Sequence, residues 1–60
     1  MPNMAPGRAS SDERAAAVDE GMEAFISGMA RNDNPYADDS PLRAYWERGW
    51  LIGELRGHAH

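Results

Sequence analysis

Gly21-Met22-Glu23-Ala24-Phe25-Ile26-Ser27-Gly28, then Asn34-Pro35-Tyr36, then Trp46-Glu47-Arg48-Gly49-Trp50 form the stretch on which the fold turns. The first segment is an apolar run punctuated by glycine. The second is a turn, because proline pushes the residue before it out of the helical region and Asn side chains bond locally. The third places two tryptophans four residues apart, on one side of a helix. Both tryptophans and both tyrosines of the chain fall within this stretch. In a chain of 60 residues such side chains must carry either the core or the contact with a partner.

Upstream, Ser10-Ser11-Asp12-Glu13 reads as a helix start, with Ser10 and Glu13 at capping-box spacing and acids at the positive end of the helix dipole. Ala15-Ala16-Ala17 favours helix, and Val18, Met22, Phe25 and Met29 recur at helical period as one apolar stripe. Gly21 and Gly28 lie beside that stripe and cost about 1 kcal/mol each against alanine. Their presence implies that a neighbouring backbone or ring packs close. This helix is expected to fail between Met29 and Arg31. Downstream, Asp38-Asp39-Ser40-Pro41 is a second start, with Ser40 as N-cap and Pro41 at the first helical position. A second helix then follows from Leu42 to about Leu55, stopped by Gly57. Two helices and a loop of roughly ten residues predict an all-α, antiparallel αα-hairpin. Residues 1–10 read as a flexible tail, 11–57 as the helical domain and 58–60 as a second tail.

Composition narrows the function classes. A chain this short buries only about 60% of the surface its unfolded form exposes, so it leans on something besides its own core. Cysteine is absent, which removes disulfides and thiolate metal sites. The formal charge is -4, from ten acidic residues against six arginines, without lysine. A global basic footprint for nucleic acid is therefore missing. The acids cluster early, at Asp12, Glu13, Asp19, Glu20 and Glu23, while Arg43, Arg48 and Arg56 lie in the second helix beside Glu47 and Glu54. Neither a signal peptide nor a membrane span is expected, so the location expected is cytoplasmic.

The second helix carries apolar residues too widely spread for one partner helix to cover. Leu42, Tyr45, Gly49 and Ile52 mark one face, Trp46, Trp50 and Gly53 the next, and Leu51 and Leu55 a third. Exposed apolar surface of that kind marks an interface, so the hairpin is expected to be completed by homodimerisation or by docking on a partner.

Gly21, Ala24, Phe25, Gly28, Pro35-Tyr36, Trp46, Gly49 and Trp50 resemble the ribosome modulation factor family, over about Asp19 to Leu55. The resemblance implies a short two-helix protein. Founding members of that family bind the small ribosomal subunit near the message exit region, and promote ribosome dimerisation and translational silence in stationary phase. Relatives include small proteins grouped with a proposed fluoroquinolone-modifying phosphotransferase. The founding type is strongly basic at its amino terminus, where this chain has only Arg8 and Arg14. It also carries cysteine where Asn34 stands and glycine where Phe25 stands.

Two kinds of residue follow as candidates. Gly21, Phe25, Gly28, Pro35, Tyr36 and Gly49 are read as fold-makers, with the Tyr36 ring covering the open end of the hairpin. Arg43, Trp46, Arg48, Trp50 and Arg56 are read as the contact surface for rRNA or a ribosomal protein. For the tryptophans, core packing and partner contact both stand at this point, one ring inward and one outward being compatible with each. The arginines suit phosphate, or form a solvated face with Arg43 paired to Glu47. Asp19, Glu20 and Glu23 read as a solvated face or a dock for a basic protein. His58 and His60 supply two ligands where catalytic zinc takes three, so no metal is expected. With no phosphate-cradling glycine loop and no Ser/His/Asp set, neither catalysis, a cofactor nor a small-molecule substrate is expected. The expected function is a non-catalytic, ribosome modulation factor-like protein that damps translation in stationary phase or stress. The alternative is a protein-binding regulator on the same fold that does not bind RNA.

Overall fold

Ser10 starts the first helix as its residue type requires. Its hydroxyl accepts the Glu13 backbone N–H at 3.1 Å, and the Glu13 carboxylate accepts the Ser10 backbone N–H at 2.9 Å. That closes a complete capping box ahead of α1, Ser11–Ile26. The structure, a computed structural model, describes residues 9–57. Of the tails read at 1–10 and 58–60, residues 1–8 and 58–60, including His58 and His60, lie outside the described residues.

α1 ends earlier than the apolar stripe suggests, at Ile26 rather than between Met29 and Arg31. The reason is Gly28, whose φ of 90° lies in the left-handed region that glycine adopts without penalty. Gly28 N–H donates to the Phe25 carbonyl at 3.0 Å and Met29 N–H to the Ala24 carbonyl at 2.9 Å, the paired bonds of a Schellman stop. A Cβ added at Gly28 meets nothing within 4 Å, so this glycine serves the turn and not a close contact, contrary to expectation.

α2 spans Arg43–Gly57. Its entry is a tight turn in which the Ser40 hydroxyl accepts the Leu42 N–H at 3.2 Å and Arg43 N–H donates to the Ser40 carbonyl at 3.2 Å. The α-helical ladder follows with Trp46 N–H to the Leu42 carbonyl at 3.0 Å. Residues 27–42 therefore connect the helices, with one short 3₁₀ turn at Arg31–Asp33.

The two-helix, all-α architecture holds, but the relative direction does not. Arg14 reaches Tyr45, the Val18 backbone faces Gly49, the Met22 carbonyl faces Gly53, and the Phe25 ring faces Gly57. Sequence position rises together along both helices, so α1 and α2 run in the same sense and the antiparallel hairpin is corrected. The physical reason is the connection. An antiparallel hairpin needs a loop of about 2–5 residues. A 15-residue helix is about 22 Å long, and residues 27–42, at up to ~50 Å extended, can return its full length.

Contact between the helices is made through glycine. A Cβ on Gly21 would stand 1.9 Å from the Trp46 carbonyl oxygen, and one on Gly49 would stand 1.9 Å from that of Val18. Backbone therefore rests on backbone at the crossing, which only glycine permits. Around this seam the buried apolar residues among those described are Ala17, Ala24 and Trp46.

Candidate contact surface

The connection runs back along one side of the helix pair and decides which residues remain available. Tyr36 O–H donates to Glu20 of α1 at 2.8 Å. The Asn34 amide oxygen accepts the Tyr36 N–H at 3.0 Å, and its NH₂ donates to the Arg43 carbonyl at 3.1 Å. Arg43 donates to the Tyr36 carbonyl at 2.8 Å and stands 3.3 Å from Asp38 and 3.6 Å from Glu47. The Trp50 indole N–H donates to the Met29 carbonyl at 2.8 Å, and its ring meets Phe25 edge-on with centroids 5.2 Å apart. The Tyr36 hydroxyl is held above its ordinary pKa, first because it donates to the Glu20 carboxylate, then by partial burial and the nearby charges of Glu20 and Glu13.

These contacts redistribute the expected site residues. Trp46 is 1% exposed, sealed between the glycine seam and its surroundings, so its place on a contact surface is corrected to the core. Trp50 is half-buried and latches the connection. Arg43 is spent on the connection and on Glu47. Pro35 and Tyr36 lie in the connection, and Tyr36 is pinned to Glu20 in the body of α1 and not at an end of a hairpin. Arg48 and Arg56 are exposed. Among the described residues, neither forms an ion pair.

With the seam at Gly21 on one helix and Gly49 and Gly53 on the other, 3.6 residues per turn assign the remaining side chains to two sides. Glu13 and Glu20 of α1, with Arg43, Glu47, Trp50 and Glu54 of α2, fall on the side the connection follows. Val18 and Met22 of α1, with Tyr45, Ile52 and Arg56 of α2, fall on the opposite side. Burial agrees: Ala17 at 0% and Ala24 at 6% lie toward the connection, whereas Val18, Met22 and Ile52 are only half-buried. Ile26 at 79% and Leu55 at 71% exposed edge that open side at the carboxy-terminal end of both helices.

Arginine concentrates on the open side. The guanidinium carbons of Arg14 and Arg48 lie 5.9 and 5.7 Å from the Tyr45 ring centroid, a shared cation–π contact. Arg14 is anchored further through the Ala9 carbonyl at 2.7 Å and the Ser11 hydroxyl at 3.1 Å. Arg56 continues the row one side of α2. Asp19 and Glu23 point outward from α1, away from α2. A chain of net charge -4 thus presents one locally basic, apolar-floored face. Arg14 and Tyr45 were not legible as site residues, because only parallel helices bring them together.

The fold is that of a small two-helix module, without a helix among the described residues long and apolar enough to cross a membrane. The family model for ribosome modulation factor matches residues 7–56, and the chain belongs to that family. No curated protein and no solved structure shows a match to it.

Proposed function

We propose that this protein is a non-catalytic, cytoplasmic ribosome modulation factor that associates with the ribosome and damps translation under stationary phase or stress. The observation that carries the reading is the segregation of charge. Arg14, Arg48 and Arg56 share the open side, while the carboxylates of Glu13, Glu20, Glu47 and Glu54 lie toward the connection. The net charge of -4 opposes nucleic-acid binding only when spread over the molecule; a face that collects three arginines is locally attractive to an anionic surface. Membership in the family supplies the ribosome as that surface. The mechanism is occlusion, with the open side seated on rRNA or a ribosomal protein and Arg48 and Arg56 making charge-assisted hydrogen bonds.

Two such contacts give modest, salt-sensitive affinity. Tagged protein in stationary-phase lysate is therefore expected in the ribosomal fractions of a low-salt sucrose gradient, and is expected to leave them as salt rises. Recovery only at the top of the gradient at low salt overturns the reading. The rival, a regulator bound to another protein and not to RNA, draws on the aliphatic floor of the same side, built from Val18, Met22 and Ile52.

A further inference from the structure

We propose that the open side of the helix pair is a docking groove for an acidic amphipathic helix of a protein partner. The inference rests on the assignment of this side as the contact surface, and on no other part of the ribosome reading.

Two helices side by side leave a groove between them, and a third helix packs into such a groove at about 8–10 Å from each axis. On the connection side that position is taken. On the other side none of the described residues occupies it, yet its floor is apolar: Val18 and Met22 of α1 and Ile52 of α2 are half-buried, and Ile26 and Leu55 edge it largely exposed. Aliphatic side chains at helical spacing on both walls receive knobs at i, i+3, i+4 and i+7 of an incoming helix. The rim then specifies charge. Arg14 and Arg48 at one end and Arg56 toward the other face carboxylates on the flanks of that helix.

The same observations weigh against other occupants. Nucleobases are held by stacking on aromatic rings or guanidinium planes. Tyr45 on this side already has Arg14 and Arg48 over it, Phe25 is turned to Gly53, Gly57 and Trp50, and Val18, Met22 and Ile52 offer no ring to stack on. A second copy set face to face would bring Arg14, Arg48 and Arg56 against their own equivalents, which like-charge repulsion disfavours.

The test is a titration of the full chain followed by amide ¹H–¹⁵N correlation spectra. The probe is an end-blocked peptide of about 18 residues, five helical turns, with leucine at i, i+3, i+4 and i+7 and glutamate on the flanking positions. The comparators are the same peptide with lysine for glutamate, and a short oligouridylate. The acidic peptide is expected to saturate, shifting Val18, Met22, Ile52 and Arg56 and leaving the connection unmoved, while the lysine peptide does not bind. Arg56→Glu, an exposed change remote from the buried core, is expected to weaken the acidic peptide about tenfold, a loss of roughly 1.4 kcal/mol. Met22→Ser, checked for folding by circular dichroism, is expected to weaken it as well. Acidic-peptide binding that ignores Arg56→Glu overturns the proposal. So does oligouridylate shifting these residues while the peptide is silent, or self-association that shifts them without any ligand. Peptide binding that survives while ribosome cosedimentation fails would sink the ribosome reading alone.

Discussion

Gly49→Ala should unfold this protein more readily although alanine is the better helix former. The substitution removes a glycine from a helix interior, which by itself favours folding by about 1 kcal/mol. Against that, the new Cβ stands 1.9 Å from the Val18 carbonyl oxygen, 2.7 Å from its carbonyl carbon and 2.9 Å from its Cα. These atoms are helix backbone on one side and helix backbone on the other, so no side chain can rotate away. Restoring ordinary contact moves the helices apart by about 1 Å or more, and a gap of that size forfeits a quarter to a half of each dispersion well along the seam. Trp46, whose burial depends on that seam, loses contacts at the same time. Overpacking of this kind costs about 1–3 kcal/mol, and often more where backbone is rigid. Net destabilisation of roughly 2 kcal/mol is expected, a large part of the ~3–9 kcal/mol that a domain of this length holds. Urea titration read by far-ultraviolet circular dichroism and tryptophan emission gives the value. Gly21→Ala, whose Cβ meets the Trp46 carbonyl oxygen at 1.9 Å, should behave alike. The double variant should cost less than the sum, because helices already separated at one glycine have room at the other. A Gly49→Ala protein as stable as the parent would refute the backbone-on-backbone seam.

The remaining predictions concern the ends of the helices and the connection. Ser10→Ala removes the hydroxyl that accepts the Glu13 N–H and should cost about 1 kcal/mol in the same urea titration, with α1 fraying first in hydrogen exchange. Trp50→Phe keeps an aromatic partner for Phe25 but loses the bond to the Met29 carbonyl; a loss of about 0.5–1.5 kcal/mol is expected, with faster exchange confined to the connection. For Tyr36 the folded pKa is raised, so its contribution to stability is present below the unfolded value near 10 and is lost as pH rises through the folded one. Tyr36→Phe should therefore remove that part of the alkaline decline, and a 295 nm titration of the parent should show one tyrosine ionising late.

Local chemistry was legible residue by residue. Ser10 with Glu13 marks a helix start because capping is settled within one turn of the chain, whereas Ser40 and Pro41 lie in the turn ahead of α2, which begins at Arg43 and not at Pro41. Pro35 after Asn34 marks the turn for the same reason. Gly28 was legible as special but not as a stop. A glycine beside an apolar stripe serves a close contact or a left-handed turn, and only the φ of 90° in the folded chain separates the two. The site was read less well. Arg43 and Trp50 looked available because their use by the connection depends on how it folds back to place Tyr36 and Met29 beside them, and Trp46 because its burial depends on the packing of α1.

The sequence by itself determined that there are two helices, roughly where they begin, and that the second carries more apolar surface than the first can cover. Those properties follow from periodicity and capping, which act over a few residues. Tertiary structure alone decided the direction of the helices, because glycine at helical spacing suits a close seam in either sense and leaves the pairing of the two helices open. Direction in turn decided which side the connection covers. It sealed Trp46 in the core, turned Trp50 into a latch, and left Arg14, Tyr45, Arg48 and Arg56 together on the open face of an acidic chain.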